Sequence, residues 1–121
     1  MSDTRVLVAD DSSTMRKIIL RSLTAVGVTN VVEAADGDEA VSLFNAGQFD
    51  VVLTDWNMPG KSGLEVIQEI RAKNKDIPIV MVTTEAEKSR VVEAIQAGVS
   101  DYLVKPFTAE TLREKLEKFD C

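Results

Sequence analysis

Three aspartates stand where two apolar runs of the sequence end. Asp10 and Asp11 follow residues 6–9, and Asp55 follows residues 49–54. Two carboxylates about 4 Å apart repel each other by roughly 4 kcal/mol at an effective dielectric constant near 20. If the three side chains converge, the site that they form has a chemistry set by concentrated negative charge.

A divalent cation is the simplest partner for such a cluster. The three aspartates carry three negative charges and Lys105 supplies one positive charge, which leaves 3 − 1 = 2 negative charges. The chain has no His, and its only Cys is Cys121. Mg²⁺ prefers oxygen ligands, so Mg²⁺ is the expected cofactor. One of Asp10 and Asp11 could instead cap the helix that follows. Capping does not account for both residues, and because Asp55 lies opposite them, the cation site is favoured.

Asp55 could be a metal ligand only, or a nucleophile as well. Carboxylates accept phosphoryl groups as aspartyl phosphates. Lys105 would then pair with a phosphoryl oxygen, although a lysine at a strand end is more often simply solvated. Its bond to Pro106 is a candidate for the cis form, which about 5–6% of X-Pro bonds adopt. The hydroxyl of Thr83 could donate to the same group, yet taken alone it is better explained as a cap of the next helix.

Five apolar runs, which would position these residues, alternate with five helical patterns. Several runs are apolar at consecutive positions, which is typical of strands covered on both faces in a parallel sheet. The predicted strands span residues 6–9, 28–34, 49–54, 77–83 and 102–104.

The helices are predicted from apolar residues at helical spacing and from their start and stop signals. The first helix has Ser12 or Ser13 as N-cap and ends at Gly27, and the fifth has Thr108 as N-cap. Gly47 and Gly98 end the second and fourth helices, and Gly63 precedes the third. The apolar positions of the five helices, in order, are Met15, Ile18, Ile19, Leu23 and Val26; Ala40, Val41 and Phe44; Leu64, Ile67 and Ile70; Val91, Val92 and Ile95; and Leu112, Leu116 and Phe119.

Strict alternation of strand and helix predicts a doubly wound parallel sheet with right-handed crossovers. Ligands of such folds bind beyond the carboxyl ends of the strands. The polar residues at those predicted ends are Asp10, Asp11, Asp55, Thr83 and Lys105. Their shared edge is stronger support for a site than any one of them.

Composition bounds the class of protein. A chain of 121 residues suits one domain, residues 1–121, and its net charge of −6 argues against nucleic acid or anionic lipid as a partner. The sequence has no apolar stretch long enough for a membrane span and no signal peptide at its start. With one terminal cysteine, the chain is expected to be cytoplasmic.

These residues together resemble the receiver domain of two-component response regulators, and within that family its chemotaxis members. The resemblance covers essentially the whole chain and implies the flavodoxin-like strand order 2-1-3-4-5. The motifs that carry it are residues 9–11, residues 55–59, Val82 and Thr83 with Glu85 and Ala86, residues 96–98 and residues 101–107.

The resemblance implies roles for individual residues. Asp55 would accept a phosphoryl group from a histidine kinase, and Mg²⁺ would be held by Asp10, Asp11, Asp55 and the backbone carbonyl of Asn57. Lys105 would contact the phosphoryl group. The family thus implies a phosphoacceptor that assists its own phosphorylation and dephosphorylation, not a conventional enzyme.

The resemblance also implies a switch. Thr83 would move toward the phosphoryl group and the ring of Tyr102 would turn inward, although Tyr102 without the family match is simply a half-buried strand aromatic. Thr84 departs from the family pattern, in which Ala or Ser is more usual, and borders the switch. Asn57 and Glu85 would tune the phosphoryl lifetime.

The readout would be the face formed by the fourth helix, fifth strand and fifth helix. Its implied partner is the flagellar motor switch or another effector, with a chemotaxis kinase and a phosphatase as further partners. A phosphate sink, or a receiver cut from a larger regulator, would share the chemistry and differ in output.

Two rival classes differ in chemistry. A phosphohydrolase that passes through aspartyl phosphate usually carries an Asp-x-Asp motif on the first strand and a substrate-covering cap, whereas here the acidic pair is adjacent and the acceptor is on the third strand. A flavodoxin-like cofactor binder would need a phosphate-cradling loop after the first strand, where Asp10 and Asp11 would repel phosphate.

Overall fold

A computed structural model describes residues 3–84 and 90–119 of the chain. Within these residues, five strands alternate with five helices. The strands are β1 (Arg5–Ala9), β2 (Asn30–Ala34), β3 (Val51–Asp55), β4 (Ile79–Thr84) and β5 (Asp101–Lys105). The helices are α1 (Ser13–Ala25), α2 (Gly37–Ala46), α3 (Gly63–Lys73), α4 (Val91–Ala97) and α5 (Ala109–Glu117).

The strands form one parallel sheet in the order β2-β1-β3-β4-β5, which confirms the predicted fold class and strand order. The order reverses between β1 and β3, and in such sheets the ligand crevice lies at this reversal. Ala9 pairs with Thr54, so the residues that follow them in the chain, Asp10 and Asp55, reach the carboxyl edge at the same level.

The sheet is covered on both faces, because successive side chains of a strand point to opposite sides. Leu7, Val52 and Met81 pack on the side of α2, α3 and α4. Their neighbours Val6, Val51 and Val80 pack on the side of α1 and α5. All five residues of β3 are buried, which explains why its sequence is continuously apolar until Thr54.

Three predicted strands began two residues too early. Val28 is buried, but its N–H donates to the carbonyl of Leu23, so it belongs to the turn that ends α1. The N–H of Ile77 similarly donates to the side chain of Asn74. Phe49 precedes β3 and packs its ring against Phe44. At these positions, the hydrophobic pattern predicted burial, which is full for Val28 and Ile77 and partial for Phe49, but it did not predict which residues form sheet hydrogen bonds.

Hydroxyl side chains begin three of the helices. The Oγ of Ser12 accepts the N–H of Met15, which settles the first N-cap in favour of Ser12 over Ser13. Thr108 is the N-cap of α5, as the sequence predicted. The third cap is Ser62, one residue before Gly63, and it forms a capping box with Glu65.

The exposed surface of α4 is unusually apolar. Val91 and Ala94 face the core, whereas Val92 and Ile95 are 62% and 59% exposed. The apolar pattern therefore predicted the helix correctly but not which of its residues are buried. Among the described residues, none of the helices is long and apolar enough to cross a lipid bilayer.

Candidate functional site

The structure brings the three predicted carboxylates together at the carboxyl edge of the sheet. Asp10, Asp11 and Asp55 each place a carboxylate oxygen within 4.8 Å of the other two. Asp10 is 1% exposed and Asp55 is 8% exposed, whereas Asp11 faces solvent. The cluster thus has a buried floor and one open side.

Lys105 reaches this cluster from the end of β5. Its Nζ lies 3.3 Å from Oδ2 of Asp10 and 3.3 Å from Oδ1 of Asp55. The pairing of Thr84 with Lys105 sets the lysine at the same edge, one strand beyond β4. A single ammonium therefore bridges two of the three carboxylates.

The charge on Asp55 is only partly compensated. Burial raises the pKa of Asp55 to about 6, and the negative charge of Asp10 acts in the same direction. The attraction of Lys105 and the backbone N–H of Trp56, which donates to Oδ1 at 2.8 Å, oppose that rise without cancelling it. The site consequently favours a proton or a further cation beside Asp55.

Asp10 is held in place from three directions. Its Oδ1 accepts the N–H of Ser12 at 2.9 Å, and its own N–H donates to the carbonyl of Ala34. Arg16 donates to the Asp10 carbonyl at 2.6 Å and pairs with Glu33. Asp10 does not cap α1, because the N-cap is Ser12; the Asp10 carboxylate instead accepts the backbone N–H of that N-cap residue. Sequence reasoning missed Arg16, whose signal was a basic residue one turn into α1.

The donor set fits Mg²⁺. An octahedral Mg²⁺ with ligands at about 2.0–2.1 Å places its ligand oxygens about 3–4 Å apart, which small side-chain movements reach from the observed spacing. The exposed side of Asp11 leaves room for water ligands. The described metal-binding candidates all offer oxygen, the ligand that Mg²⁺ prefers.

The loop after β3 is closed tightly around Asp55. The N–H of Gly63 donates to the carbonyl of Trp56 at 2.8 Å, and a Cβ at position 63 would collide with the carbonyl of Asp55. A glycine is therefore required there by the close approach of the two backbone segments. Asn57 lies exposed at the start of this loop, two residues beyond Asp55.

The predicted switch residues lie on β4 and β5. Thr83 is fully buried and its Oγ1 donates to the carbonyl of Thr84 at 3.3 Å. Thr84 and Tyr102 are half-buried, and Tyr102 pairs with Met81 in the sheet. Glu85, the predicted lifetime residue, lies outside the described residues. The bond between Lys105 and Pro106 is cis.

Arg90 is a neighbour of the site that sequence reasoning did not find. Its guanidinium lies over the indole of Trp56, with Cζ 4.1 Å from the ring centroid. Trp56 is 1% exposed and directly follows Asp55. The contact connects the residue before α4 to the end of β3, and no local pattern in the sequence announces it.

Replacing Arg90 with alanine should shift the fluorescence of Trp56, the only tryptophan, to longer wavelength, because the indole loses its cover. The free energy of unfolding should fall by about 0.5–1 kcal/mol. Arg5→Ala is the matched control, since Arg5 lies over the ring of Phe49 at 4.8 Å. Unchanged emission in Arg90→Ala would show that the stacking does not persist in solution.

Comparison with known proteins gives one consistent family. The family model described as "Response regulator receiver domain" matches residues 6–117. Chemotaxis protein CheY of Pseudomonas aeruginosa is 48% identical over 116 residues, which cover 94% of this chain and 94% of that protein. A chemotaxis protein CheY homolog of Campylobacter jejuni is 51% identical over 116 residues, which cover 93% of this chain and 89% of that protein.

Solved structures agree with the sequence relatives. Chemotaxis response regulator CheY4 of Vibrio cholerae has a TM-score of 0.87 and 36% identity, over 96% of this chain and 98% of that one. A response regulator receiver domain protein from Clostridium thermocellum also has a TM-score of 0.87, with 30% identity, over 96% and 93% of the two chains. Sequence and fold thus point to the same group of proteins.

Proposed function

This chain belongs to the response regulator receiver domain family of two-component signalling, and on that premise we propose that Asp55 accepts a phosphoryl group from the phosphohistidine of a histidine kinase. The observation that carries the proposal is the charge at the site. A largely buried carboxylate with a raised pKa lies beside two further aspartates and 3.3 Å from one lysine. Because the carboxylates repel an anionic phosphoryl group, such a site stabilises that group only when positive charge is supplied with it.

The transfer is a substitution at phosphorus. One oxygen of Asp55 forms the new P–O bond while the P–N bond of the phosphohistidine breaks, and the departing imidazole nitrogen takes up a proton from water. Both described donors to Asp55, the N–H of Trp56 and the Nζ of Lys105, reach Oδ1. We therefore assign Oδ2 as the attacking oxygen.

The surrounding residues have positioning and charge roles. Asp10, Asp11 and Asp55, with the carbonyl of Asn57, would hold Mg²⁺, which supplies neutralising charge for the phosphoryl oxygens. Lys105 already lies between two of these carboxylates and would pair with one phosphoryl oxygen. Hydrolysis of the acyl phosphate returns the carboxylate and inorganic phosphate, and Asn57 and Glu85 tune its rate.

The phosphoryl group would act by shifting a two-state equilibrium. Thr83, Thr84 and Lys105 lie at neighbouring strand ends, so a group on Asp55 can bind them better in one state than in the other. Only that difference in binding moves the population. Tyr102 lies on β5, the strand that ends at Lys105. By turning inward, its ring would transmit the change at Asp55 to the protein surface.

The output surface would be formed by α4, β5 and α5. Val92 and Ile95 of α4 supply exposed apolar area, and Lys115 of α5 and Lys118 at its end supply positive charge. Since the relatives are named as chemotaxis proteins, the proposed partner is the flagellar motor switch, with a chemotaxis kinase upstream and a phosphatase to reset the state. A phosphate sink would use the same phosphoryl acceptor but would bind no effector through this surface.

Chemical trapping tests the acceptor directly. The protein is incubated with Mg²⁺ and a small phosphodonor and then reduced with borohydride, which converts an aspartyl phosphate to homoserine. Peptide mapping should find homoserine at position 55. Trapping at another carboxylate would reject the assignment, and steady turnover of a phosphate ester would indicate a phosphohydrolase.

A further inference from the structure

Asp101, the first residue of β5, contacts one lysine of α5 and the lysine that directly follows this helix. Its Oδ2 lies 3.2 Å from the Nζ of Lys115 and 2.9 Å from the Nζ of Lys118. Its Oδ1 accepts the backbone N–H of Tyr102 at 2.8 Å. The side chain is only 9% exposed, so these donors hold a carboxylate that water barely reaches.

The donors outweigh the cost of burying this charge. Burial opposes ionisation of Asp101, but hydrogen bonds from Lys118, from the N–H of Tyr102 and from Lys115 hold the pKa of the carboxyl below its usual value. The carboxylate is therefore ionised at neutral pH and is a fixed anchor for both ammonium groups.

One of the two lysines also contacts the proposed switch aromatic. The Nζ of Lys115 lies 5.5 Å from the centroid of the Tyr102 ring, within the range of a cation–π contact. Lys118 shares the same carboxylate partner. Lys115 thus connects an anchored anion to one face of a ring that is itself half-buried.

We propose that Asp101 is a positioning residue that holds Lys115 against the Tyr102 ring and thereby stabilises the resting state of the switch. The inference rests on the proposed function, because it requires that Tyr102 moves when Asp55 is occupied. When the Tyr102 ring turns inward, it moves away from the Lys115 ammonium, which Asp101 keeps in place. The contact between them therefore stabilises only the state in which the ring has not turned inward. A contact that exists in one state shifts the equilibrium against the other.

The consequence extends to the acceptor site by linkage. If loss of the contact raises the population of the active state, any ligand that selects that state at Asp55 binds more tightly by the same factor. The effect on Asp55 ligands should appear although Asp101 lies at the opposite end of β5 from Lys105. A merely structural role for Asp101 predicts no such gain in affinity.

The test measures the affinity of beryllofluoride, a phosphoryl mimic, in the presence of Mg²⁺ through the fluorescence of Trp56. Asp101→Asn and Lys115→Met should each bind beryllofluoride about two- to fivefold more tightly than the wild type, the ratio expected from loss of one exposed cation–π contact. Lys118→Met is the matched control, because it removes a lysine from the same carboxylate without removing Lys115 from the ring. Its affinity should equal that of the wild type.

Two further variants separate the possible outcomes. In a Tyr102→Leu background, Asp101→Asn should no longer change the affinity, and Asp101→Glu should restore wild-type affinity when the tyrosine is present. If the wild type does not respond to beryllofluoride, the proposed acceptor function fails. If the wild type responds and Asp101→Asn binds with the same or weaker affinity, the positioning role is rejected while the acceptor function stands.

Discussion

Asp55→Asn is expected to abolish stable phosphoryl incorporation from a small phosphodonor in the presence of Mg²⁺. The amide retains the shape of the side chain and can still accept the N–H of Trp56, but it lacks the anionic oxygen that forms the acyl phosphate. Asp10 does not replace it, since Asp10 is 1% exposed and already accepts bonds from Ser12 and Lys105. Incorporation is measured on intact protein by mass spectrometry.

Asp50→Asn is the matched control for this loss. Asp50 immediately precedes β3, at the opposite end of the strand from Asp55, and its carboxylate accepts the backbone N–H of Arg5 at 2.8 Å. The control variant should incorporate phosphate as the wild type does. Equal incorporation in Asp55→Asn and the wild type would place the acceptor elsewhere.

Asp55→Asn should also make the protein more stable when no Mg²⁺ is present. Burial and the charge of Asp10 raise the pKa of Asp55, so ionised Asp55 destabilises the folded state at neutral pH. We expect the free energy of unfolding at pH 7 to rise by about 1–2 kcal/mol. This gain is smaller than the full difference in pKa implies, because solvent still screens the carboxylate. The melting temperature should rise by on the order of 5 °C.

The pH dependence follows from the direction of the shift. Because the folded pKa of Asp55, about 6, lies above the ordinary value of 3.8, protonation of this group favours the folded state. Its contribution to stability is complete below pH 3.8 and is lost as the pH rises through about 6. The stability gain in Asp55→Asn should therefore be largest above pH 6 and should vanish near pH 4.

Mg²⁺ should act on the wild type in the same pH range. A cation at tenfold its Kd adds about 1.4 kcal/mol to the free energy of unfolding if only the folded state binds it. The gain should be greater at pH 7 than at pH 5, where a proton on Asp55 competes with the metal. Melting that Mg²⁺ leaves unchanged at pH 7 would contradict a convergent acidic site.

Asp101→Asn supplies a control of opposite sign. The pKa of Asp101 is lowered, so its charge stabilises the folded state above the ordinary pKa of an aspartate. Removing that charge should lower the melting temperature at pH 7, whereas Asp55→Asn should raise it. If both variants shift stability in the same direction, the difference between the two environments is not electrostatic.

The fold followed from the sequence because its signals are local. The consecutive apolar residues of β3 require cover on both faces, and only a parallel sheet with helices on either side supplies it. The carboxylates of Asp10 and Asp55 could be assigned to one edge because parallel strands share their direction. Strand order itself came from family resemblance, since neither composition nor periodicity fixes which strands are neighbours.

The boundaries of the elements were less predictable. Val28 and Ile77 are buried apolar residues whose N–H groups bond outside the sheet, to the carbonyl of Leu23 and to the side chain of Asn74 respectively. Burial and strand pairing are separate properties, and a hydrophobic pattern reports only the first.

By itself, the sequence determined the alternating architecture and the acidic edge of the sheet, because periodicity and charge are properties of the chain alone. The tertiary structure alone decided the contacts between distant segments. Lys105 bridges Asp10 and Asp55, Arg90 covers Trp56, and Asp101 holds Lys115 against Tyr102. Such contacts depend on strand order, register and helix rotation, and no local pattern encodes these.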